Sequence, residues 1–142
     1  MRLTKEQIKE LLPHREPMLL LDEIDSLVPG KCASAIVHVL EDSFFLQGHF
    51  PGRPLMPGVL QLEALCQTGA VAVLALPNMR GKIALITGVE KVKFRRPVQP
   101  GDTLRLEVEL TLLTERGGKG KGSASVEGQT CCQGEITFVL VE

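Results

Sequence analysis

Between Gly58 and Leu76 the chain carries a run that a helix lying on a protein surface could not hold. Val59, Leu60, Leu62, Leu65, Ala70, Val71, Val73 and Leu74 do not confine themselves to one stripe, so a helix built from them is covered on most sides. Gly58 opens the run and Pro77 closes it, which predicts a helix over 58–76. Gln61, Glu63, Gln67 and Thr68 interrupt it, and it is too short and too polar to span a bilayer. Such a helix requires other elements to wrap it.

The rest of the chain supplies strands. Thr4-Lys5-Glu6-Gln7 is a capping box that starts a short helix ending near Leu12, before Pro13. Met18 to Val28 and Lys31 to Leu40 read as a hairpin turned at Pro29-Gly30. Ser43 to Pro57 reads as irregular. After the long helix come four strand patterns, Lys82–Phe94, Thr103–Glu115, Lys119–Glu127 and Thr130–Val141. Their turns are expected at Pro100-Gly101-Asp102, Gly117-Gly118 and Gly128-Gln129. Nothing repeats and no linker splits the chain, so residues 1–142 read as a single domain. The implied class is α+β, an antiparallel sheet around one central helix. Its edge strands call for a partner and favour a dimer.

Composition removes several function classes. The formal net charge is −1, and Trp and Tyr are absent, which argues against a nucleic-acid binder. Cys32, Cys66, Cys131 and Cys132 show no CxxC spacing and no paired histidines, so no zinc site is expected. Four reduced thiols and a charged first stretch without an apolar core suit a cytoplasmic protein without a signal peptide.

The chemistry concentrates in Gly48 to Gln67. His49 sits in a loop stiffened by Pro51 and Pro54, and histidine is the usual general base near neutral pH. The same stiffness would suit a purely structural loop. Glu63 lies inside the apolar helix, where desolvation should raise its pKa toward the range of a general acid. Gln67, four residues on, shares its face and can orient it. The first N–H groups of the helix, at Gly58 and Val59, have no intrahelical acceptor and can receive a carbonyl oxygen that gains charge. Base, acid and oxyanion donors together suit proton abstraction alpha to a carbonyl with loss of a beta-hydroxyl. His14 and His38 have no carboxylate at helpful spacing and read as structural.

Leu12-Pro13-His14-Arg15, Gly48-His49-Phe50-Pro51, Met56-Pro57-Gly58-Val59, Glu63-Ala64 and Gln67 resemble the beta-hydroxyacyl-acyl-carrier-protein dehydratases of type II fatty acid synthesis. Phe94-Arg95-Arg96-Pro97-Val98 and Pro100-Gly101-Asp102 resemble a second block of that family. The resemblance implies the hot-dog fold, with His49 as catalytic histidine and Glu63 as catalytic acid contributed across a dimer interface. It also implies that the Gly58 N–H binds the thioester carbonyl and that Gln67 supports the glutamate. The partner it implies is acyl carrier protein bearing a phosphopantetheine-linked acyl chain, and no cofactor enters. The family often assembles its dimers into hexamers, trimers of dimers. A sister enzyme that also isomerises the double bond carries Asp at the acid position, so Glu63 points to dehydration alone. Glu16 and Met18 stand where aromatic residues are common, and Cys66 where alanine is common.

Lys91, Lys93 and Arg95 alternate along a strand, and Arg96 follows. They read equally well as a docking patch for an acidic carrier or as a solvated strand face. Lys119 and Lys121 read as a flexible hairpin tip. Two other functions fit the same fold, a thioesterase and a non-catalytic acyl-binding module.

Overall fold

The structure, a computed structural model, describes residues Met1–Glu142. The elements run β1 Leu3–Thr4, α1 Lys5–Leu11, β2 Glu23–Val28, β3 Cys32–His38, α2 Gly58–Leu74, β4 Ile83–Phe94, β5 Thr103–Thr114, β6 Gly117–Val126 and β7 Gln129–Val141. Single 3₁₀ turns lie at Phe44–Leu46 and Pro77–Met79. All strands pair antiparallel in one sheet of order β1-β2-β3-β5-β6-β7-β4. The capping box is present: the Thr4 side chain accepts from Gln7 N–H, and the Gln7 side chain accepts from Thr4 N–H.

The core forms where the sheet curls around α2. Ala33, Ala35 and Val37 of β3 and Leu104, Leu106 and Val108 of β5 point inward at alternate positions. They belong to one cluster with Ala64, Leu65, Val71, Ala72 and Leu74 of the helix. Complete burial of one such leucine contributes about 1.5–3 kcal/mol. The cover is uneven along the helix. Its C-terminal half is enclosed, whereas Val59 is 68% exposed and Leu60, Leu62, Glu63 and Cys66 are half-buried.

Two local expectations give way to a physical reason. Residues 18–22 precede β2 rather than extend it, because a side chain takes the backbone groups of Met18 and Leu20 there. The Leu20 N–H donates to the Gln67 carbonyl oxygen at 3.0 Å, and the Gln67 amide donates to Met18 O at 2.8 Å. Gly117-Gly118 is not a turn, and Lys119 and Lys121 are not a hairpin tip: all four lie in β6. The alternation Gly118-Lys119-Gly120-Lys121-Gly122 turns glycines inward and lysines outward. A Cβ on Gly122 would come within 3.2 Å of Leu65 and Val108, so Gly122 lets the sheet close on the helix, whereas a Cβ on Gly118 would meet the Leu112 carbonyl oxygen at 2.2 Å.

β4 is an edge strand, paired only with β7. Ile83, Leu85, Ile86, Val89 and Phe94 all stand exposed on it. No helix is long and apolar enough to cross a membrane.

Candidate active site

His49 is held by the loop that precedes α2. Its backbone N–H donates to Leu46 O, and its carbonyl accepts from Leu55 N–H at 2.7 Å. The ring Nδ1 lies 2.9 Å from the Leu55 carbonyl oxygen. A carbonyl only accepts, so the proton of the neutral ring sits on Nδ1 and the Nε2 lone pair is free. The Phe50 ring stacks on the imidazole with centroids 4.0 Å apart.

The N-terminus of α2 faces the same place. Pro57 is the N-cap, and the first inward bonds run from Leu60 and Gln61 N–H to the Pro57 carbonyl. The Gly58 and Val59 N–H groups therefore keep no intrahelical acceptor. His49, Gly58, Gln61, Phe94, Arg95 and Arg96 line one concavity of about 280 Å³. Gly58 has a packing duty as well, since a Cβ there would meet the Phe94 ring at 2.8 Å.

Glu63 points elsewhere. Successive helix residues turn by about 100°, so Glu63 lies about 200° round the axis from Gln61, which lines the His49 concavity. Glu63 lines a separate narrow cavity of about 60 Å³ between α2 and the sheet, walled mostly by apolar residues such as Val73, Ile86, Val108 and Phe138. Within one protomer His49 and Glu63 therefore line different cavities.

Gln67 supports Glu63 as expected from its position one turn on. It is 1% exposed, and its Nε2 donates to Glu63 Oε2 at 2.8 Å. Its other two bonds, to Met18 O and from Leu20 N–H, use up the amide and fix its orientation.

His14 is the residue that sequence reasoning misplaced. Its Nε2 stands 3.6 Å from Glu63 Oε2, so it has the carboxylate partner that its spacing did not reveal. It lies 49 positions upstream, and only the fold joins them. Its presence also corrects the expected pKa. Burial pushes the Glu63 carboxyl up, but His14 and Gln67 favour the ionised form and together hold it below the usual carboxylate value. Burial, with Glu63 nearby, pushes the Cys66 thiol in this cavity up to about 12, which leaves it an unreactive thiol.

The basic residues do not form one strand-face stripe. The register shifts between Glu90 and Lys93, with Lys91 at φ 53°, and the strand ends at Phe94. Lys91 pairs with Glu135 at 3.4 Å. Arg95 donates to the Gln133 side chain at 3.1 Å, and with Arg96 it borders the His49 concavity.

Residues 12–135 match the model of the FabA-like domain. The chain belongs to the FabA-like family. Within it, the chain is 53% identical to a 3-hydroxyacyl-[acyl-carrier-protein] dehydratase FabZ of Natranaerobius thermophilus, over 96% of both chains. It is 48% identical to the protein of that name in Enterococcus faecalis, over 99% of both. Among solved structures, this FabA-like chain is similar to the dehydratase heterocomplex ApeI:P of Xenorhabdus doucetiae. The TM-score is 0.80 at 22% identity, with 95% of this chain and 91% of that one covered. It also resembles a hypothetical thioesterase of Streptococcus pneumoniae, at TM-score 0.64 and 13% identity, over 83% and 84% of the two chains. Those likenesses concern the fold, which is the hot dog.

Proposed function

We propose that this FabA-like chain removes water from (3R)-3-hydroxyacyl thioesters on acyl carrier protein, giving the trans-2-enoyl products, in type II fatty acid synthesis. The observation that carries the reading is His49. Its Nδ1 is committed to the Leu55 carbonyl, and its bare Nε2 shares a concavity with the free N–H end of α2. The dehydratase names of relatives about half identical over nearly the whole chain support the same substrate class.

In the proposed reaction His49 Nε2 takes the C2 proton while the thioester oxygen rests on the Gly58 and Val59 N–H groups. The C3–O bond breaks, and Glu63 gives its proton to the departing hydroxyl, which leaves as water. Glu63 must be protonated for that step, although its surroundings favour the carboxylate. An acyl chain that fills the apolar cavity displaces water and adds desolvation, which raises the carboxyl. The acid therefore takes up its proton as substrate binds.

The divergence of His49 and Glu63 within one protomer, and the exposed apolar edge of β4, support a homodimer at least, with each site taking His49 from one subunit and Glu63 from the other. Larger assembly as a trimer of dimers is compatible with this. Arg95 and Arg96, at the mouth of the His49 concavity, are better placed for the carrier's phosphopantetheine than Lys91 or Lys93. The enzyme works in the cytoplasm.

Turnover of a 3-hydroxyacyl carrier thioester tests the reading. Enoyl thioester should appear by its ultraviolet absorbance with no free thiol released. Thiol release would mean a thioesterase, and binding without turnover an acyl-binding module.

A further inference from the structure

The geometry points to His14 as a positioning residue for Glu63, one that assigns separate duties to the two carboxyl oxygens. The inference rests on the dehydratase reading above and deepens it.

Two nitrogens converge on the same oxygen, one as a hydrogen-bond donor and one at ion-pair distance. Gln67 Nε2 is 2.8 Å from Glu63 Oε2, and His14 Nε2 is 3.6 Å from it. No protein group bonds Oε1. A proton on Oε2 would oppose the Gln67 donor and face the His14 ring nitrogen, so Oε1 is the oxygen that takes the proton and presents it to the substrate hydroxyl.

The other side of the His14 ring strengthens this. Its Nδ1 is buried and has no partner. A bare ring nitrogen tolerates that position better than an N–H, which would be an unsatisfied buried donor. The ring proton therefore belongs on Nε2, facing Glu63.

The backbone at His14 is fixed from outside. The Arg15 guanidinium donates to the carbonyls of Lys9, Leu12 and His14 and so turns its charge away from the cavity. Around Glu63, the other titratable group on α2 is Cys66. The strands that wall the cavity, β4 to β7, contribute only apolar residues and a glycine there. His14 is thus the one titratable side chain from outside α2 that faces the acid.

The test compares His14→Leu with His14→Gln in the full-length protein. A glutamine amide can reach where Nε2 stands, whereas leucine keeps bulk without a donor. The readouts are the Glu63 carboxyl titration, followed by ¹³C NMR and assigned by loss of its signal in Glu63→Gln, and kcat for the carrier thioester. His14→Leu should move the Glu63 midpoint up by about half to one pH unit, because a group favouring the ionised form is gone. It should also lower kcat about tenfold with KM little changed, because the acid is misaligned rather than the substrate unbound. His14→Gln should restore most of both.

An unmoved midpoint in folded His14→Leu would overturn the inference, as would a glutamine variant as impaired as the leucine one. Should His14→Leu not fold, His14→Gln decides alone: a Glu63 midpoint and kcat near wild type support the donor role, and loss of either contradicts it. The titration needs no turnover, so it stands apart from the dehydratase reading. Absence of dehydration by the unaltered protein would sink that reading and leave the carboxyl measurement intact.

Discussion

The His49 Nδ1 proton is anchored on the Leu55 carbonyl at 2.9 Å, and the Leu55 N–H returns a bond to the His49 carbonyl. The ring is thereby held by its own loop, which is the preorganisation that the proposed base needs. Glu63 is aimed differently, by Gln67 from its own helix and by His14 from the segment after α1. His49→Ala and Glu63→Gln should each lower kcat by about 10²- to 10⁴-fold. The double variant should lose little more than either single one, because the two act as a unit. Steady-state rates on a carrier-bound 3-hydroxyacyl thioester check both, with circular dichroism to show that the proteins are folded. A near wild-type rate in Glu63→Gln would remove Glu63 as the acid. At this scale the sequence was informative for groups linked by chain neighbourhood. Glu63 and Gln67 are one helical turn apart, so their bond is readable from spacing. His14 was not, because its link to Glu63 depends on how the first segment folds back over α2. The sign of the Glu63 pKa followed from that omission: burial was visible in the apolar run, and the opposing histidine was not.

The long helix was legible as an element for the same reason that it is needed. An all-round apolar run has to be wrapped, and the six expected strands do the wrapping, with the two-residue β1 added at the edge of the sheet. Its end is two residues earlier than Pro77 suggested, at Leu74, where the chain loosens through Ala75 and Leu76 into a 3₁₀ turn. Strand detail was less legible. Gly117 and Gly118 look like turn signals, yet they serve close approach within the sheet, where a Cβ would meet the Phe138 or Leu112 carbonyl oxygen at 2.2 Å, and Gly122 serves close approach to Leu65 of the helix. The bulge in β4 likewise breaks the apparent Lys91-Lys93-Arg95 alternation, and a left-handed Lys91 leaves no mark in the residue pattern. The consequence is that Arg95 and Arg96, not the lysines, border the site. Arg95→Glu combined with Arg96→Glu should raise KM for carrier-bound substrate roughly tenfold at low salt, since charges at a rim act mainly on encounter. A short pantetheine thioester should keep nearly its original KM. Equal losses on both substrates would mean that the pair supports the site's structure rather than the carrier.

At the scale of the whole molecule, the geometry of a single subunit is the strongest reason for a shared site. The His49 concavity opens at the N-terminal end of α2 beside Phe94, while Glu63 lies on the opposite side of that helix in a cavity under the sheet. An exposed run from Ile83 to Phe94 supplies an apolar edge on which a second copy can close. The most direct measurement combines two inactive proteins. His49→Ala and Glu63→Gln chains with different affinity tags are expressed together, and mixed dimers are isolated through both tags. If each site takes His49 from one subunit and Glu63 from the other, a mixed dimer contains one fully damaged site and one intact site. Its dehydration rate should then be about half that of the wild-type dimer, although both parents are nearly inactive. If the mixed dimer is as inactive as its parents, each chain carries its own complete pair, and the shared-site account is wrong.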